Sequence, residues 1–182
     1  MKFLLLSVFA SLLFYVVPAQ SPPSAAQVMK AAQEQAKRQK KNVFIIFHAS
    51  WCGWCHKMDS SMNDKCCKKF FDDNYVIRHL VVQESKNKKN LETPGAMAML
   101  TGYNGAEQGI PFWLVFDKDG NLLADSRLRT VDASAPEAHK GKNCGCPAAK
   151  EEVAYFIDVL KRTSSLNDQD AINIAKRFRE NE

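Results

Sequence analysis

The sequence has no cysteine between residues 15 and 25, no second pair of cysteines separated by two residues besides Cys52/Cys55, and no internal repeat. Its longest uncharged, largely apolar run, Phe3 to Val17 with Ser7 and Ser11 inside it, spans 15 residues, short of the roughly 20 that a membrane-crossing helix needs. The missing early cysteine argues against a lipid-modified N-terminus. The short run follows Lys2 and precedes Pro18-Ala19-Gln20 and Ser21-Pro22-Pro23, the layout of a secretory signal peptide with Ala19 before the cut. An uncleaved anchor is the weaker alternative. Basic residues fall in short scattered runs (37 to 41, 86 to 89, 161–162, 176 to 179) without interleaved aromatics, so a nucleic-acid surface is not supported and solvated faces explain them. Loss of residues 1–19 removes one lysine from a net charge of +5, a mild balance. The remaining residues 20–182 suit one domain, with a helical extension from about residue 164.

What the chain does have is six cysteines in three close pairs, Cys52/Cys55, Cys66/Cys67 and Cys144/Cys146, in a sequence expected to be exported to the periplasm or outside the cell. An oxidising compartment opens disulfide chemistry to all of them. Residues 25–40 lack Pro and Gly and place Ala25, Val28, Ala32 and Ala36 at helical spacing. Val43 to Phe47 reads as a strand buried on both faces, leading straight into Trp51-Cys52. A helix to about Met62 follows, then Asn63-Asp64 as the cap of a second short helix through Phe71 that carries Cys66 and Cys67. Residues 75–82 read as a strand, and residues 84–109 are polar with a short helix around Met97 to Leu100. Phe112 to Phe116, the turn Asp117-Lys118-Asp119-Gly120-Asn121 and Leu122 to Asp125 form a β-hairpin. Residues 127–149 read as a long loop, and helices over 150–162 and 168–179 close the chain. This order argues for an α/β sandwich around a mixed sheet.

Trp51-Cys52-Gly53-Trp54-Cys55 follows a buried strand and opens a helix. Two intervening residues allow a disulfide within one turn, and the helix start bathes the first sulfur in unpaired N–H groups that favour thiolate. Such a site brings a thiol from about 8.5 toward about 7, so that Cys52 attacks a disulfide and Cys55, one turn deeper, resolves the mixed species. The competing readings are a zinc pair or an inert disulfide. Zinc usually takes a second pair at matching spacing, which Cys66/Cys67 and Cys144/Cys146 do not offer. Of Cys66 and Cys67 one is expected to be a buried small hydrophobe and the other a partner in a structural disulfide; Cys144 and Cys146 are expected in a structural disulfide, with each other or with Cys66 or Cys67, while a second redox pair or a metal role for them stays open.

The five-residue motif, the strand before it and Ile110-Pro111 resemble the thioredoxin superfamily, especially exported bacterial thioredoxin-like proteins in which Trp-Cys-Gly-Trp-Cys is followed by Lys-Met, here Lys57-Met58. The resemblance covers about residues 25–162. It implies a thioredoxin-like sandwich, a central mixed β-sheet flanked by helices, and a thiol-disulfide oxidoreductase; reduction of disulfides in exported proteins is the expected activity, with oxidation or isomerisation as the alternatives. It implies that Pro111 is a cis proline facing the active-site pair, and that Trp51, Gly53, Trp54, Ile110 and Pro111 contact substrate. No cofactor beyond the Cys52/Cys55 disulfide is implied; the partners are thiol- or disulfide-containing exported proteins and an electron donor. Two departures stand out: Trp54 replaces the usual Pro, and Ile46 stands where the family carries an acidic residue. Proton transfer at Cys55 then needs His56, Lys57, His48 or water. The alternative function is a thiol-based metal-binding or chaperone module on the same fold, using Cys52, Cys55 and the Cys144/Cys146 loop.

Overall fold

The computed structural model describes residues 22–129 and 141–182. The expected signal peptide and residues 130–140 of the expected loop lie outside these. Helix α1 (Ala25–Gln39) begins at a capping box in which the Ser24 hydroxyl accepts from the Gln27 N–H and the Gln27 side chain accepts from Ser24 N. It stops at Gln39 because Lys40 turns left-handed at φ 55°. Strand β1 (Asn42–His48) pairs parallel with β2 (Tyr75–Val81) and antiparallel with β3 (Phe112–Phe116), and β3 pairs antiparallel with β4 (Leu122–Asp125). The order β2-β1-β3-β4 leaves β1 and β3 in the middle. That is why both read as apolar runs without polar alternation.

Alternation along the central strands divides the core in two. Phe44, Ile46, Trp113 and Val115 face Met58 and Met62 of α2 (Gly53–Met62), Phe71 of α3 (Lys68–Asn74), Phe156 of α5 (Lys150–Thr163) and Phe178 of α6 (Asp168–Arg179). Val43, Ile45, Phe47, Phe112, Leu114 and Phe116 face Ala32 and Ala36 of α1 and Leu100 of α4 (Ala96–Gly102). Each large apolar side chain so buried contributes about 1.5–3 kcal/mol of transfer free energy. The result is the helix-flanked mixed sheet expected from the sequence. Among the described residues no helix is long and apolar enough to cross a membrane.

Three local expectations are corrected. The helix after Asn63-Asp64 begins only at Lys68: Asn63 instead ends α2, and Cys66 and Cys67 lie in the turn between α2 and α3. The polar stretch after β2 contains a 3₁₀ segment, Lys86–Leu91, ahead of α4. The ends of the stretch read as a loop pair with each other, through an Arg127–Asn143 bridge, Leu128 N–H to Lys142 O at 2.8 Å and Cys144 N–H to Ser126 O at 2.9 Å. This pairing lays Cys144-Gly145-Cys146 against the end of β3.

Candidate active site

The segment joining β1 to α2 is held from both sides. The buried Glu84 carboxylate, just past β2, accepts from the Ser50 N–H at 2.5 Å and the Ser50 hydroxyl at 2.9 Å. The Ser50 N–H, ahead of the hydroxyl, holds the Glu84 carboxyl below its ordinary value, so it serves as a fixed anion. The Trp51 indole N–H donates to Gln83 O at 2.8 Å. Cys52 then takes the N-cap position of α2, where its sulfur accepts from the Cys55 N–H at 3.1 Å. Cys52 and Cys55 are joined in a disulfide with their Cα atoms 5.3 Å apart.

Facing the disulfide is the loop before β3. Cys52 Sγ lies 3.6 Å from the carbonyl oxygen of Ile110, and the Ile110–Pro111 bond is cis. The Asn143 side-chain N–H₂ donates to the carbonyls of Gln108, Gly109 and Pro111 at 3.1–3.2 Å, while its Oδ1 accepts from Gly145 N at 3.0 Å. The Trp113 indole N–H donates to Gly145 O at 2.9 Å. These bonds fasten Cys144-Gly145-Cys146 beside Pro111. Between that loop and α2 opens a cavity of about 530 Å³, bounded by Trp54, Lys57, Ile110, Pro111, Cys146 and Asn181.

A buried strand, a cysteine-capped helix with a closed disulfide and a proline loop opposite it make a dithiol–disulfide site. The profile of the family described as thioredoxin-like matches residues 25–118, more than half of the chain. The chain belongs to the thioredoxin-like family. Among solved structures, it resembles a disulphide isomerase from Xylella fastidiosa Temecula1 at 21% identity, over 60% of this chain and 78% of that one, with a TM-score of 0.47. It resembles the oxidised C-terminal domain of DsbD from Neisseria meningitidis at 22% identity, over 58% and 84%, with a TM-score of 0.41. A pneumococcal exposed lipoprotein thioredoxin, Etrx1 from Streptococcus pneumoniae strain TIGR4, is similar at 18% identity over 50% and 76%, with a TM-score of 0.33. No curated protein sequence matches the chain. These similarities bear on neither substrate nor direction of electron flow.

In this thioredoxin-like chain the residues singled out by sequence divide into two groups. Trp51, Gly53, Trp54, Ile110 and Pro111 surround the disulfide, and the two tryptophans are 58% and 48% exposed. The sulfurs themselves depart from expectation. Cys52 is 3% exposed and Cys55 1%, packed with Ala49 and Ile110, so in the disulfide form access does not distinguish them. His56 turns its Nε2 to Ser50 O at 3.1 Å. Lys57 lies over the Trp54 ring at 4.2 Å and donates to Asn181 O at 3.1 Å, inside the cavity wall. His48 packs edge-on against His79 at 4.9 Å on the sheet side of α2. Ile46 is buried against Met58 and Met62, so no carboxylate stands in its place.

Cys66, Cys67, Cys144 and Cys146 are free thiols in this structure, where structural disulfides were expected. Burial pushes the Cys144 thiol up and raises Cys146 to about 12, which suppresses their thiolates. Hydrogen bonds from Asn143 and Trp113 do the stapling instead. Sequence reading missed Glu84, Asn143 and Asn181. Glu84 lies in a polar run without a period and Asn181 three residues past the last apolar position of α6, so neither carried a local signal. Asn143, next to Cys144 in a loop, had a turn-forming residue type as its one hint.

Proposed function

We propose that this thioredoxin-like protein is an exported thiol-disulfide oxidoreductase that reduces disulfides in exported proteins. The observation that carries the reading is the Cys52–Cys55 disulfide at the N-terminus of α2, with the Cys52 sulfur receiving the Cys55 N–H and facing the Ile110 carbonyl. In the dithiol form the unpaired N–H groups of the first turn stabilise negative charge at Cys52 more than at Cys55. Cys52 attacks one sulfur of the client disulfide, forms a mixed disulfide and releases a client thiolate. Cys55 then loses its proton and attacks Cys52, releasing the second client sulfur and closing the disulfide; two electrons have passed to the client. A donor dithiol restores the pair. Trp51 and Trp54 offer apolar contact around the sulfur, and residues 20–182 act as one domain. Among the described residues no three His, Cys, Asp or Glu side chains converge as a metal-ligand set.

The test is reduction of insulin by a small dithiol with and without the protein, alongside the reduction potential of the Cys52/Cys55 pair against glutathione. Catalysed reduction that falls to background in Cys52→Ser is expected, with a potential low enough to pass electrons to protein disulfides. A folded wild-type chain without activity, or a potential in the range of strong oxidants, would sink the reductase reading.

A further inference from the structure

The mechanism leaves Cys66 and Cys67 unused. They sit in a turn organised by Asp64, whose Oδ1 accepts from Cys66 N at 3.1 Å and whose carbonyl accepts from Cys67 N and Lys68 N at 2.9 and 2.8 Å. Successive residues on a helix splay by about 100°, but this turn does the opposite and brings the two sulfurs to 3.1 Å. That is on the order of 1 Å beyond a disulfide bond of about 2.05 Å. Their surroundings differ sharply. Cys66 is exposed, whereas Cys67 is packed in the core cluster that holds Phe70 and Phe71. Burial first, then the neighbouring Cys66 thiol, pushes the Cys67 thiol up, so an attack from this pair starts at Cys66.

We propose that Cys66 and Cys67 form a second dithiol–disulfide couple, separate from Cys52/Cys55, that closes to a vicinal disulfide by exchange with a protein disulfide. The Cys66 thiolate attacks one sulfur of that disulfide, making a mixed disulfide and expelling the other sulfur as thiolate. Cys67 gives its proton to solvent and attacks the Cys66 sulfur, which expels the second thiolate. Cys66 and Cys67 are oxidised by two electrons, and the protein disulfide becomes two thiols. The oxidant is a protein disulfide, the class of client that the proposed activity takes. Adjacent Cα atoms lie about 3.8 Å apart, less than the usual 4.4–6.8 Å span of a disulfide, so the closed ring is reopened easily by thiols. The couple therefore reports on the redox balance around the protein, with Cys66 as its contact point.

The test uses the full chain carrying Cys52→Ser and Cys55→Ser, reduced and then titrated with glutathione disulfide as the probe. Samples are quenched in acid, alkylated in denaturant, digested and mapped by mass spectrometry. The peptide holding Cys66 and Cys67 is expected to lose two hydrogens and escape alkylation, reversibly on adding reduced glutathione. With Cys67→Ser added, Cys66 is expected to retain glutathione; with Cys66→Ser added, Cys67 is expected to stay a thiol. Full alkylation of both residues at every glutathione ratio overturns the proposal, as does a bridge from Cys66 to Cys144 or Cys146. Where a variant fails to fold, the same peptide mapped in the wild-type chain decides between these outcomes. Because Cys52 and Cys55 are absent from the test chain, the result is independent of the reductase reading.

Discussion

Cys52 and Cys55 are almost equally buried in the disulfide, so their division of labour must come from position rather than from access. Cys52 caps the helix and touches the Ile110 carbonyl; Cys55 lies inside the first turn. Cys55→Ser is therefore expected to accumulate mixed disulfides between Cys52 and client proteins, seen as slow bands on non-reducing gels that collapse with reductant. Cys52→Ser should trap few. Equal trapping by the two variants would reverse or dissolve the assignment. The motif, its helix start and the proline opposite it were all legible in the sequence, because each rests on residues adjacent to Cys52 or on one family resemblance. Glu84 and Asn143 were not, since their roles come from contacts across 34 residues for Ser50–Glu84 and 32 for Pro111–Asn143. His56 and Lys57 were named for proton transfer, yet their polar atoms engage Ser50 O and Asn181 O. Substituting His56 by Asn is accordingly expected to leave the pH profile of insulin reduction in place. A lost or displaced limb in that profile would restore His56 as a proton carrier.

At the scale of elements, periodicity and apolar runs located the central strands and the long helices, because burial dictates those patterns. It failed where the backbone is set by side-chain hydrogen bonds. The turn that converges Cys66 and Cys67 is built by Asp64, and a helix drawn through it would have parted the sulfurs. Likewise, the segment around Cys144 and Cys146 was expected to need a disulfide, whereas Asn143 ties it to three carbonyls of the loop before β3. Asn143→Ala should cost about 1–3 kcal/mol in urea unfolding, chiefly the penalty of leaving the part-buried Pro111 carbonyl without this donor, since the exposed carbonyls of Gln108 and Gly109 turn to water. Because the same bonds fix the loop opposite Cys52, the KM for insulin should rise more than kcat falls. A variant with wild-type stability and wild-type KM would show that the loop holds its place without this side chain.

For the whole molecule, α6 is the element whose standing the sequence left most open, and packing makes it part of the core. Phe178 is fully buried, with its ring 5.0 Å from Phe156 and 6.5 Å from Phe71, while Ile172 on the same helix is 62% exposed. Phe178→Ala is expected to cost about 3–5 kcal/mol, and Ile172→Ala to stay within about 0.5 kcal/mol, by urea unfolding. Comparable small losses would mean that α6 is appended rather than integrated. Stability should also carry a pH signature from the seam between β1, β2 and α2. There His48 packs on His79, with Asp59, Glu84 and His56 as the other ionisable neighbours. Burial, then the like charge that His79 would carry, holds His48 below its ordinary 6.5; Asp59 and Glu84 oppose this and are outweighed. An unfolded chain thus binds this proton more readily than the folded one. The stabilising contribution is fully present above about pH 6.5 and is lost as pH falls from there toward the depressed folded value. Glu84, Asp117 and Asp125, all lowered, contribute in a separate acid window that opens below their ordinary values of about 4. Urea midpoints between pH 7.5 and 5 should consequently decline in the wild type, and His48→Asn should flatten that decline while keeping the carboxylate loss at lower pH. An unchanged slope in His48→Asn would assign the mildly acidic transition to another group.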